Sequence, residues 1–185
     1  MATRSLILPL NGVIKYTVDP IAYGPIDTDL LKFKFKDGRI TGLLLEDLYD
    51  GLFRNVTKCS DKASEFDLFV TDKHNSYHYQ SKVISSGSNS FDLCPSNMKG
   101  KGRKYDENKM HGIIRRLDGY VLTDISNFPD LVIYTLPARS LYSYVKERSA
   151  KIKLNQLQPL CREPMTLSSK VLRPTGDVVR TDRSR

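Results

Sequence analysis

The sequence predicts an α/β domain in which a central mixed β-sheet is flanked by helices. Four observations carry this expectation. Residues 66–70 and 76–84 alternate aromatic or β-branched residues with polar ones at period 2, as half-buried strands do. The polar stretch 71–75 between them has the length of a turn joining antiparallel neighbours. Just before them, residues 42–53 place Leu44, Leu45, Leu48 and Leu52 at the recurrence of an amphipathic helix, with Glu46 near its start. After them, Met110, Ile113, Ile114 and Leu117 repeat at helical spacing, and two runs rich in β-branched residues follow at 120–125 and 131–136, bounded by Gly and Pro.

The chain has 185 residues, 39% of them hydrophobic and 27% charged. That suits one globular domain, 1–185, able to bury roughly 70% of its unfolded surface. The core is expected at about 42–136, with an N-terminal arm at 1–40 and a basic C-terminal extension at 146–185. Lys and Arg number 29 against 21 acidic residues, a net charge of +8, of which residues 146–185 carry +6. Such an excess suits a polyanionic partner. Cys59, Cys94 and Cys161 are odd in number and outside any C-x-x-C spacing. This argues against a disulfide framework or a zinc site and for free buried thiols in a reducing compartment. The apolar run at 6–10 is short and broken by Pro9, so neither a signal peptide nor a membrane span is expected, and the expected location is cytoplasmic.

In the arm, Asn11-Gly12 between apolar runs signals a hairpin joining strands at 6–10 and 13–18. Padding the sheet, a dimer contact and a DNA contact are the open uses of this arm, the first being the plainest. Residues 30–36 alternate Leu31, Phe33 and Phe35 with Lys32, Lys34 and Lys36, as a strand with a lysine face or as a helix start capped at 27–29. The loop at 55–64 holds Lys58, Asp61 and Lys62. After residue 84 comes a small, polar stretch, then Lys99, Gly100, Lys101, Gly102, Arg103 and Lys104. Glycines there let the backbone approach a phosphodiester chain while the cations supply counter-charge; a solvated insertion is the alternative. Most of Asp118, Asp124 and Asp130 read as turn or exposed residues. Pro137 opens a helix through Tyr144 and on toward Ala150. The tail from Lys151 reads as a final strand pair and a frayed end, with Arg173 and Arg180 among its candidate phosphate contacts.

At period 2, His78, Gln80, Lys82 and Ile84 share one face of the second strand, and Tyr77, Tyr79, Ser81 and Val83 the other. Asp67 on the first strand is placed to meet Gln80 and Lys82. A carboxylate, an amide carbonyl and an ammonium at a sheet edge suit a hard divalent metal and a phosphate. Solvated strand faces carry the same residue types with no chemistry attached. An acid on a helix, then hydrophobic-Asp-hydrophobic on a strand, then Gln-x-Lys on the next, resembles the core of the PD-(D/E)XK nuclease superfamily. The matching residues are Glu46, Asp67, Gln80 and Lys82, and the resemblance covers about residues 42–136. Phe66 stands where the superfamily's name has proline, and Gln80 where an acid is usual, as in some restriction enzymes. Glu65, on the strand face of Asp67, is the rival acid and ranks second.

The resemblance implies a restriction-endonuclease-like core and a Mg²⁺-dependent endodeoxyribonuclease. Mg²⁺ would be held by Asp67, Gln80, the Ser81 carbonyl and, through water or a second ion, Glu46, with Lys82 beside the attacking water. Double-stranded DNA is the implied substrate, a homodimer or higher homo-oligomer the implied assembly, and a sequence-specific type II restriction endonuclease the first choice. A Holliday-junction resolvase, a homing endonuclease and a non-catalytic DNA-binding protein on a degenerate nuclease fold are the alternatives. Tyr77, Tyr79 and Phe91 leave an RNA-binding module open. His74, His78 and His111 lack the spacing of a zinc, thiol or Ser-His hydrolase.

Overall fold

A computed structural model describes residues 6–18, 38–60, 66–84, 88–95, 98, 104–161 and 164–165. In chain order its elements are β1 (Gly12–Thr17), α1 (Gly38–Leu52), β2 (Val56–Lys58), β3 (Leu68–Asp72), β4 (Asn75–Ile84), β5 (Ser90–Asp92) and α2 (Glu107–Arg116). There follow β6 (Gly119–Asn127), β7 (Asp130–Pro137), a 3-10 helix (Ala138–Tyr144), β8 (Val145–Lys146), β9 (Ser149–Lys153), the single turn α3 (Leu154–Leu157) and β10 (Pro164–Met165).

Among the described residues the main sheet has seven strands in the order β10, β1, β7, β6, β4, β3, β2, and a second sheet has the order β5, β9, β8. The main sheet is mixed. β2, β3 and β4 form an antiparallel meander, β4 joins β6 in parallel, and β6, β7 and β1 are again antiparallel. Adjacent parallel strands need a long crossover rather than a tight turn. The chain between β4 and β6 supplies it, carrying β5 and α2 over one face of the sheet. Asp106 caps α2 by accepting the Lys109 N–H at 2.9 Å, Glu107 lies in its first turn and Arg115 and Arg116 in its last. Each charge thus sits at the end of the helix dipole that it stabilises.

Two apolar layers follow from the period-2 alternation. On one side of the sheet, Leu45, Tyr49 and Phe53 pack with Leu68, Val70, Tyr79, Val121 and Ile133. On the other, Met110, Ile113 and Ile114 of α2 and Phe91 and Ile152 of the small sheet pack with Ile84, Tyr120, Leu122 and Leu136. Period 2 assigns Tyr79 and Ile84 to opposite faces of β4, and they enter opposite layers. Gly119, where β6 starts, allows this packing: a Cβ there would overlap the Tyr79 ring and stand 2.9 Å from Leu136 O.

Several expectations need correction. Asn11-Gly12 does not turn a hairpin: β1 pairs with β7, Gly12 opposite Thr135 and Thr17 opposite Asp130, and residues 6–10 supply only a bridge from Leu6 to Phe53. A long-range edge with six partners outweighs a two-residue local signal. The helix after Pro137 stops at Tyr144, because Val145 and Ala150 are drawn into the core as the paired strands β8 and β9. α1 begins at Gly38, which puts Glu46 in its middle rather than near its start. Of the three free thiols only Cys94 is buried; Cys59 and Cys161 are half-buried. The readings made for 27–36, Glu65, Lys99, Lys101, Arg103, Arg173 and Arg180 lie outside the described residues, and among the described ones no helix is long and apolar enough to cross a membrane.

Candidate functional site

β3 and β4 run in register from Asp72 opposite Asn75 to Leu68 opposite Tyr79. At Asp67 they part. The Asp67 N–H donates to Tyr79 O at 2.9 Å, and its carbonyl accepts the Cys59 N–H at 2.9 Å. Its side chain then takes over from the ladder: Oδ2 accepts the Ser81 N–H at 2.8 Å. Phe66 folds back, its ring stacked on His78 at 4.2 Å and edge-on to Phe69 at 5.0 Å. In a strand, the N–H and C=O of one residue face the same neighbour. Because the Ser81 N–H faces Asp67, its carbonyl also points to that side, past the end of β3.

Gln80 follows Tyr79 on β4 and is 5% exposed; it lies opposite Tyr120 in the parallel pairing with β6. Lys82, two residues on, is half-buried on the same strand face. Its ammonium is close enough to act on both acids of the site. Asp67 is pushed above the usual carboxylate range by burial, opposed by Lys82 and by the Ser81 N–H. Glu46 reaches the same place from the middle of α1, and its pKa is raised to about 7. Burial is the main cause, the Asp67 charge adds to it, and Lys58 and Lys82 oppose it.

α1 is held against this part of the sheet by Tyr49, fully buried, whose hydroxyl hydrogen-bonds the Thr123 hydroxyl. Lys58 on β2 then closes the side nearest α1. Its ammonium lies 2.8 Å from Asp47 Oδ1 and 3.9 Å from Glu46 Oε2, and the main-chain N–H of Lys58 donates to Asp50 Oδ1 at 3.2 Å. In the sequence Lys58 stands only as part of a loop, and no spacing marks it, because β2 is a three-residue strand too short to show a period. Tyr49 is equally unmarked there, although it follows Leu45 by one helical turn and so shares its face.

The structure therefore brings Glu46, Asp67, Ser81 and Lys82 to one place and adds Lys58, while Gln80 is buried beside Ser81 on the same strand. Lys104, a predicted DNA contact, is exposed. Among the described residues no group of three or more His, Cys, Asp or Glu is gathered as for a metal ion. The oxygen donors at this place are instead two carboxylates, one amide and one main-chain carbonyl, all hard ligands of the sort Mg²⁺ takes. Compared with known protein families, with curated proteins and with solved structures, the chain has no match in any of the three.

Proposed function

We propose that this chain is a Mg²⁺-dependent endodeoxyribonuclease of the PD-(D/E)XK kind, a sequence-specific type II restriction endonuclease acting on double-stranded DNA as a homo-oligomer. One observation supports it above the rest. β3 leaves β4 at Asp67, whose carboxylate lies on the Ser81 N–H within the field of Lys82 and Glu46. The succession of helix, strands, helix and strands, with the acid on the first helix, agrees with the same reading.

The donor set fits a hard divalent ion. Asp67, Gln80 and the Ser81 carbonyl would hold it, with Glu46 behind them. Bound Mg²⁺ would supply a Lewis acid for the scissile phosphate and a water of lowered pKa. Lys82 does the rest from the protein's side, placing a positive charge where charge develops on the phosphorane and orienting the attacking water. Lys82 offsets one of the two carboxylates, Lys58 is paired with Asp47, and Gln80 is neutral, so affinity for the ion should be weak until a DNA phosphate adds its own anionic oxygen.

A second reading, a non-catalytic DNA-binding protein on the same scaffold, is favoured by the neutral, buried Gln80 where an acid is usual. Incubation with plasmid DNA and Mg²⁺ decides between them. Discrete fragments support the restriction enzyme, whereas binding with no cutting at any ion concentration supports the second reading.

A further inference from the structure

The small sheet has one face in the core and one in solvent. Phe91, Ala150 and Ile152 point inward, each fully buried. The register places Ser90 opposite Lys153, Asp92 opposite Lys151, and Lys146 opposite Ser149, so these residues share the outer face. Of these, Ser90, Lys146, Ser149, Lys151 and Lys153 line a cleft of about 360 Å³ with Tyr144 and Gln156, and Asp92 lies outside its lining. No acid lines it, and among the described residues no ion pair engages Lys146, Lys151 or Lys153.

A lysine-studded strand face often serves only solubility. Three features separate this one from that use: the face is concave, its lining carries three lysines and no acid, and hydroxyl groups stand between them. Ammonium and hydroxyl groups together are what proteins use to hold phosphate and sugar. Lys151 and Lys153, two residues apart on one strand, stand roughly 7 Å from each other, the scale on which successive phosphates of a nucleic-acid strand follow one another. The β5 edge of this sheet packs against β4, the strand that carries Lys82.

We infer that the outer face of the small sheet is a binding site for the phosphodiester backbone of one nucleic-acid strand, with Lys146, Lys151 and Lys153 as its phosphate contacts. The choice of nucleic acid over another polyanion rests on the nuclease reading; the site itself rests on its own charge and shape.

The test measures binding of a duplex DNA oligonucleotide, without Mg²⁺, across a salt series, for the parent, for K146A/K151A/K153A and for K15A/R54A/K109A. The last removes the same charge from exposed positions elsewhere. The cleft variant should lose at least about tenfold in affinity at low salt, and its log–log salt slope should flatten by about 2 to 3, near 0.9 per phosphate contact. The control should change by less than half of that. Equal losses in the two variants, or an unchanged slope in the cleft variant, would overturn the proposal. So would inorganic triphosphate that binds the parent as tightly as the DNA does and loses affinity with the same three lysines. Cleavage by the parent is assayed separately. Absent cleavage with intact, cleft-dependent binding sinks the nuclease reading and leaves the cleft standing, and cleavage with cleft-independent binding does the reverse.

Discussion

The parting of β3 and β4 and the outer face of the small sheet both gather charge, under opposite physical conditions. At the first, two carboxylates and two ammonium groups are partly withdrawn from water, and burial lifts Glu46 to about 7 while each neighbour's charge is felt. At the second, three lysines stand in solvent and, among the described residues, no ion pair engages them. Isolated exposed charges contribute little one by one and are screened by salt, whereas half-buried ones alter each other's protonation. Position, not residue type, decides what a lysine does: Lys58 and Lys82 shift the protonation of an acid, and Lys146, Lys151 and Lys153 count only together.

The strongest break of that comparison is chemical. Lys82→Ala should lower DNA cleavage by a factor of about 100 or more, the scale of losing a charge-stabilising or proton-transfer group, with thermal stability close to that of the parent. A plasmid-nicking time course checks it; a parent-like rate would end the assignment of Lys82. Next is a backbone lesion aimed at the first region alone. Gly119→Ala drives a methyl into the Tyr79 ring and toward Leu136 O, so β4 must shift. The expected loss is about 3 kcal/mol of stability by denaturant titration.

Glu46→Gln sharpens the contrast through pH. The folded pKa is raised from 4.5 to about 7, so between those values the folded chain keeps a proton that the unfolded chain has released. Glu46 therefore costs stability progressively as pH rises from 4.5 to 7, and by a constant amount above that. Each pH unit between the folded and unfolded pKa corresponds to about 1.4 kcal/mol, part of which solvent screens. The Gln variant should thus exceed the parent by about 2 kcal/mol at about pH 8 and match it near pH 4. Equal stabilities at both pH values would mean that Glu46 is not desolvated. The smallest effect belongs to the second region: K151A/K153A should move stability by less than about 0.5 kcal/mol at any pH, as thermal unfolding would show.

What the sequence made legible was whatever rests on period. Met110, Ile113 and Ile114 mark α2 by their helical spacing, and the alternation of β4 sets Tyr79 and Ile84 on opposite faces, where they enter opposite layers. Elements fixed by distant partners were illegible. β8 and β9 have two and five residues, and only the burial of Ala150 and Ile152 against Phe91 and α2 makes them strands. The start of α1 at Gly38 lies ahead of the apolar recurrence, which becomes regular only from Leu44. Within the site, Asp67 could be placed by pattern, but its takeover of the Ser81 N–H could not, since that depends on where β3 stops.

The position of β1 bears on how the protein is made. Its six residues sit between β7 and β10, and its side-chain contacts reach across 113 to 123 residues, from Thr17 to Asp130 and from Gly12 to Thr135. A ribosome adding about 5–20 residues per second takes about 6 to 24 s to deliver that partner. Throughout that interval Gly12, Val13, Ile14, Lys15, Tyr16 and Thr17 form a nascent strand with both edges unpaired, the condition under which strands of neighbouring chains associate. Translation that stalls before residue 130 should therefore yield aggregates seeded by this segment, and slow passage through codons 18–130 should lower the yield of folded protein more than slow passage after 137.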